Sequence, residues 1–338
     1  MNDRNFTTIV FGLVLIFLIG CRKKQDLIVS GLNSPVLFAG DSLTAYRDPA
    51  VLYDKGTFYL FFTLVEIEPD SLIYSYTAMS TSQDLKQWSD IRKLTPKDQS
   101  LNYSSPGNVI RFGDEWILCL QTYPRPGYHA SQMPVYGDNS ARLFIMRSKD
   151  LHTWSEPELM KVKGKEVPQA DMGRMIDPYL VRDIHDTGKY WCFYKQNGVS
   201  MSYSYDMENW NFHGRTNSGE NVCVIEKNNE YILFHSPSNG IGMKRSQDLE
   251  TWTDSEKIIT LGQSDWTWAA GRLTAGAVVD LRDHPDIQKY LMFFHGSGPG
   301  DEKTDFDRNS SIGIAWSEDL TDWNWPTGDV PNKSNMKQ

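Results

Sequence analysis

Ser82-Gln83-Asp84-Leu85-Lys86-Gln87-Trp88 is the first of five copies of one pattern, Ser-x-Asp-(Leu/Met)-x-x-Trp. The others run Ser148–Trp154, Ser204–Trp210, Ser246–Trp252 and Ser317–Trp323. The Trp positions are 66, 56, 42 and 71 residues apart, so a fixed unit carries loops of variable length. Repeats of this size built from strands indicate propeller blades. Upstream of each copy lie three strand-like runs; in the first unit they are Ala50–Tyr53, an aromatic alternating run Thr57–Phe62, and Ala78–Ser80. The first two are joined by turn residues such as Asp54-Lys55-Gly56, which tolerate the backbone a hairpin demands. A fourth, outer strand is expected after each Trp. The fold is therefore all-β: a five-bladed β-propeller of four-stranded antiparallel blades, closed into a ring that protects its sheet edges. The repeat Trp and Leu are read as packing residues and the repeat Asp as a turn residue that accepts backbone N–H bonds.

The remaining sequence bounds the setting. The 338 residues carry a formal charge of −9 and no basic stripe, which argues against a nucleic-acid partner or an anionic membrane surface. An uncharged ligand fits better, and eleven Trp suit both strand packing and sugar stacking. Residues 1–20 read as a signal peptide, with an apolar core Ile9–Ile19 too short to span a bilayer comfortably. Leu18-Ile19-Gly20-Cys21 resembles the bacterial lipoprotein processing site, which implies cleavage before Cys21 and acylation of its thiol. The chain thus divides into leader 1–20, tether 21–34 and propeller 35–330, held at the bacterial cell envelope with only the lipid touching membrane. Cys119, Cys192 and Cys223 are an odd set and are read as small buried side chains rather than a disulfide framework.

In a propeller the first strand of each blade lines the central channel, so strand starts distant in sequence converge at one mouth. Here they read Tyr46-Arg47-Asp48-Pro49, Ser104-Ser105-Pro106-Gly107, Met175-Ile176-Asp177-Pro178, Ser218-Gly219-Glu220-Asn221 and Thr274-Ala275-Gly276-Ala277. Blades one, three and four are expected to put Asp48, Asp177 and Glu220 at the same structural position. Carboxylates so gathered repel and raise at least one pKa, as glycosidic hydrolysis requires: one carboxyl must stay protonated and another must activate water.

These starts resemble glycoside hydrolase family 43 and its five-bladed relatives over nearly the whole mature chain. The resemblance implies an inverting glycosidase with Asp48 as base, Asp177 as pKa modulator and Glu220 as acid. It implies an oligosaccharide or polysaccharide substrate carrying arabinofuranosyl or xylosyl units. The family often has Gly-Pro after the acid, whereas Glu220 is followed by Asn221-Val222. Family relatives hold calcium in the channel through a His with waters, which makes His295 and His235 candidates; no cofactor is required. Arg47, Arg272, Trp266, Trp268, Tyr123 and His295 are the substrate-binding candidates. Arg174 and the Tyr123–Asn139 loop, with Tyr128 and Tyr136, are further ones. A non-catalytic glycan-binding propeller remains the alternative. A glycoside phosphorylase ranks last, because phosphate needs a basic cluster near the base.

Overall fold

The structure, a computed structural model, describes residues 28–328 except 138 and 256. The leader and Cys21 lie outside the described residues. Five antiparallel sheets form the fold. Blade one is built from Thr44–Asp54, Thr57–Ile67, Ile73–Ser82 and Arg92–Lys93. Blade two is built from Tyr103–Ser104 with Val109–Phe112, then Glu115–Thr122, Leu143–Ser148 and Glu158–Leu159. Blade three is Ile176–Arg182, Tyr190–Lys195, Val199–Ser204 and Asn211–Thr216; blade four is Glu220–Lys227, Glu230–Ser236, Gly242–Ser246 and Thr253–Asp254. Blade five comprises Arg272–Leu281, Lys289–Ser297 and Ser311–Ser317.

The outer edge of blade five is shared. Trp323–Asn324 pairs with Trp316–Ser317, as the repeat led one to expect, but Val36–Phe38 from the start of the chain pairs beside Ile312–Gly313. The two ends of the propeller thus close the ring through one sheet. Residues 28–34 precede this strand, and Val29 there is fully buried against blades one and five.

The repeat is a cap built three ways. In blade one the Ser82 hydroxyl accepts the Leu85 N–H at 2.9 Å, and Asp84 Oδ1 accepts the N–H groups of Lys86 and Gln87 at 2.9 and 2.8 Å. Trp88 Nε1 donates back to the Leu85 carbonyl at 3.2 Å. The Leu or Met takes φ of +62 to +76 in all five copies, and these bonds hold that strained turn in place. The Trp ring packs against the preceding blade: Trp88 on Phe38, Trp154 on Phe61 and Trp252 on Phe193. The second strands, expected to alternate, are instead buried almost continuously; in Thr57–Ile67 the whole run Phe58–Val65 is buried. Each blade is covered on both faces by its neighbours, so both sides of its middle strands meet apolar surface, each large side chain contributing about 1.5–3 kcal/mol. Cys119, Cys192 and Cys223 are free and buried in these strands, and burial pushes each thiol up.

Blades approach closely at the channel. A Cβ on Gly107 of blade two would lie 1.6 Å from the Pro178 carbonyl oxygen of blade three, so only glycine fits there.

Candidate active site

The innermost strand of every blade breaks at one level. Pairing with the second strand is interrupted between Arg47 and Ala50, Ile176 and Tyr179, Glu220 and Cys223, and Thr274 and Ala277. In blade two the same break separates Ser104 from Val109. One residue within each break is left-handed: Asp48 at φ +47, Ser105 at +40, Asp177 at +53, Asn221 at +52 and Ala275 at +54. Such bulges re-aim side chains, and their strain concentrates at functional sites.

This alignment corrects the expectation that the three acids share one position. Asp48 and Asp177 do. Glu220 stands one residue earlier, level with Arg47, Ile176 and Thr274, and Asn221 occupies the bulge. The departure from Gly-Pro becomes intelligible: Asn is the side chain other than Gly that best tolerates a left-handed backbone. The signal was in the sequence, since aligning on the tolerant Asn rather than on the acid moves blade four by one residue.

The bulges are tied to one another around the ring. At the matching level of each second strand stand Thr63, Gln121, Lys195, Ser236 and His295. Four of these accept the bulge N–H of the next blade. Thr63 Oγ1 takes Ser105 N–H at 2.7 Å, Gln121 Oε1 takes Asp177 N–H at 2.5 Å, and Ser236 Oγ takes Ala275 N–H at 2.9 Å. His295 Nδ1 takes Asp48 N–H at 3.0 Å, closing the circuit from blade five to blade one. Lys195 is the exception. An ammonium has no lone pair, and it reaches forward to the Glu220 carboxylate at 2.5 Å instead.

The three acids have different surroundings. Asp48 Oδ2 accepts the hydroxyls of Thr63 at 2.9 Å and Ser105 at 3.0 Å, which fixes the carboxyl and leaves Oδ1 for a reacting group. His295 Nδ1 lies 3.5 Å from Oδ1, but its lone pair is committed to the Asp48 amide and burial keeps the ring neutral, so this is not an ion pair. Asp177 is pushed up to about 7, first by burial and then by the Glu220 and Asp48 charges. Glu220 goes the other way. Burial would raise it, but Lys195 and Arg272, whose Nη2 lies 2.7 Å from Oε1, overcome that and bring it to about 2. The second arm of Arg272 holds Glu302 at 2.5 Å.

These groups face a cavity of about 150 Å³, a size that accommodates a six-membered ring. Arg47, Asp48, Tyr123, Asp177, Glu220, Arg272 and His295 all line it, as do Arg174 and Tyr136. Tyr128 does not; it is a buried strut whose hydroxyl donates to Asp307 at 2.6 Å. Trp266 and Trp268 are not at the cavity. Their rings stack on each other at 5.0 Å and on Phe294, inside the largest apolar cluster, because the chain before blade five folds back over that blade. Sequence reasoning missed Lys195, Gln121, Thr63 and Ser236, although Lys195, Gln121 and Ser236 are polar residues at or next to the end of an apolar second strand and Thr63 is a polar residue inside one. It also missed Arg125, Glu302, Phe306 and Asp307, which no motif marks. The buried Arg125–Asp307 pair, 2.9 Å apart, pins the blade-two loop to the blade-five loop.

The donor set does not fit calcium at His295. With Nδ1 accepting an amide, the neutral ring carries its proton on Nε2 and offers a cation no lone pair. His235 is likewise occupied, accepting Gly219 N–H at 3.0 Å. Among the described residues no three His, Cys, Asp or Glu side chains are grouped to hold a metal ion.

No protein-family model and no curated protein matches the sequence. Solved structures do. The catalytic domain of a Coprinopsis cinerea family 62 α-L-arabinofuranosidase superposes with a TM-score of 0.57 at 15% identity, over 83% of this chain and 94% of that one. A thermostable family 43 glycoside hydrolase gives 0.57 at 13%, over 86% and 96%. A Cellvibrio cellulosa α-L-arabinanase mutant gives 0.55 at 15%, over 81% and 92%. The chain therefore has the five-bladed fold found in family 43 and family 62 glycoside hydrolases.

Proposed function

We propose that the chain is a glycoside hydrolase that cleaves a glycosidic bond with inversion. The observation that carries this reading is the gathering of Asp48, Asp177 and Glu220, from three blades, at one cavity where Asp177 is pushed up and Glu220 is pushed down. Asp48 serves as base: its carboxyl is fixed by two hydroxyls and takes a proton from the attacking water through Oδ1. Glu220 serves as acid toward the leaving oxygen, and Asp177 sets its protonation, as the family resemblance implies. In the resting protein the proton of this pair sits on Asp177, while Lys195 and Arg272 hold Glu220 ionised. Glu220 becomes a proton donor when a substrate oxygen takes the place of the Lys195 ammonium, whose side chain is 37% exposed, and the proton passes from Asp177.

One observation favours a second assignment. Asp177 is the carboxyl that already carries a proton near neutral pH, so it meets the requirement for an acid without rearrangement. Leaving-group dependence separates the two. The variant lacking the true acid keeps its rate on aryl glycosides with an acidic phenol and loses it on alkyl glycosides. Glu220→Gln is expected to behave so, and Asp177→Asn to lose rate on both. The reverse assigns the proton to Asp177, loss of neither rate removes both as the acid, and a wild-type protein that binds glycans but cleaves none defeats the hydrolase reading in favour of a glycan-binding propeller. A panel of arabinofuranosides and xylosides is the starting substrate set. Lipid anchoring at Cys21 belongs to the same reading, and absence of labelled fatty acid on the wild-type protein, compared with Cys21→Ala, would remove it.

A further inference from the structure

The charges around the cavity do not cancel locally. Arg125 is matched by Asp307 at 2.9 Å, Arg272 by Glu220 and Glu302, and Lys195 by Glu220. Arg47 and Arg174 also line the cavity, and among the described residues neither has a carboxylate partner. Arg47 is nine-tenths buried; Nη1 donates to the Phe306 carbonyl at 2.7 Å, Nε is buried without an acceptor, and Nη2 has none. Arg174 donates only through Nε, to the Gly137 carbonyl at 3.2 Å, leaving both terminal nitrogens free.

The two guanidiniums flank one aromatic rim. Arg47 stacks over the Phe306 ring at 3.8 Å, and the Phe306 and exposed Tyr136 rings are 5.2 Å apart. Arg174 is bonded to Gly137, the residue after Tyr136. Other buried polar atoms of this wall also lack acceptors: His295 Nε2 and Arg272 Nε, both donors, and the Thr274 hydroxyl. The acids left to oppose Arg47 and Arg174 are Asp48, already bonded to Thr63 and Ser105, and Asp177, which is protonated up to about neutrality. A buried guanidinium without a counter-charge is costly, and its planar fork matches a carboxylate or sulfate. A wall of donors in a chain of formal charge −9 is therefore specific to this place.

We propose that the cavity takes a sugar unit bearing an oxyanion, a carboxylate or a sulfate, held between Arg47 and Arg174 with its ring against Tyr136. The inference rests on the hydrolase reading only for the location of the site; it narrows the substrate to acidic glycans, in which an arabinofuranosyl or xylosyl unit would be a neighbour of the bound one.

Calorimetry with glucuronate, glucose 6-sulfate, glucose and inorganic sulfate tests it on the wild-type protein and on Arg47→Met and Arg174→Met. Glucuronate or glucose 6-sulfate should bind about tenfold or more tightly than glucose, with a preference that weakens as salt is added. Which of the two binds identifies the oxyanion. Arg174→Met should bring the ratio of acidic-sugar to glucose affinity down toward one and flatten its salt dependence. Arg174 is only half-buried, so this variant remains informative if Arg47→Met fails to fold. Both acidic sugars binding no more tightly than glucose, no binding of any sugar, or inorganic sulfate binding as well as glucose 6-sulfate would overturn the proposal. Cleavage of neutral glycosides with no preference for acidic ones defeats this inference and leaves the hydrolase standing. Oxyanion-dependent binding without cleavage of any acidic glycoside does the opposite.

Discussion

Replacing Lys195 by Met removes one ammonium from Glu220 while keeping an unbranched apolar stem. The contact is short, 2.5 Å, and Glu220 is brought to about 2 by Lys195 and Arg272 acting together against burial. Lys195 is 37% exposed, so solvent screens part of its effect. Its loss should raise the Glu220 midpoint by roughly 1–1.5 pH units, about 2 kcal/mol. The direct assay is a carbon-13 titration of the glutamate carboxyls, assigned through Glu220→Gln, which needs no known substrate. Stability offers a second measure. A carboxyl with a lowered folded pKa stabilises the protein above its unfolded pKa, near 4.5, and that gain is lost as pH falls toward 2. The wild type should therefore exceed Lys195→Met in stability at pH 7, with the difference vanishing at the acid end. Once a substrate is found, the alkaline limb of kcat/KM should move upward in the variant, because the Lys195 charge also lowers Asp177, which holds the proton in the resting protein. An unchanged Glu220 titration would refute the claim that Lys195 keeps this carboxyl ionised.

Asp48→Asn should lower kcat by about 10²–10⁴ with little change in KM, measured on any glycoside the wild type cleaves; a smaller loss would remove Asp48 as the base. Asp177 titrates higher folded than unfolded, so the native state binds the extra proton and stability falls as pH rises from about 4 to about 7. Asp177→Asn should therefore be more stable than wild type at pH 8, on the order of 2 kcal/mol in denaturant melts, and lose that advantage at pH 4. Asn221→Gly should leave stability within a few tenths of a kcal/mol, whereas Asn221→Val should cost about 1–2 kcal/mol, because φ of +52 suits no β-branched residue.

The blade count was legible because one capping turn recurs in every unit with the same Ser–Asp contact and the same pair of backbone N–H groups on the Asp, although Trp154 Nε1 lacks the bond that the other four Trp residues make. Asp48 and Asp177 were legible because Asp-Pro at a strand start is a local pattern, and Glu220 because it stands at the start of the matching strand of blade four. Their relative level was not, because a bulge adds a residue whose place depends on which side chain can tolerate φ near +50. Nor was the partner of Glu220 legible. Lys195 comes from the neighbouring blade, and only the completed ring sets it across from the acid. The two stacked Trp residues ahead of blade five mislead for a related reason: a paired aromatic reads alike as a sugar platform or as packing until its neighbours are known.

The seam in blade five has a consequence for how the chain acquires its shape. Val36–Phe38 finds its partners at Ile312–Gly313, so the earliest described strand has no sheet to join until the last repeat has been made. Pairings this distant in sequence form late, after the loop entropy between them has been met. Synthesised from the amino terminus, the nascent protein would hold four stacked sheets open like an unlatched clasp, with one raw edge at either side. The stage most exposed to proteolysis or mispairing is then the interval before the final strand emerges, and it ends when the beginning and the finish of the polypeptide meet.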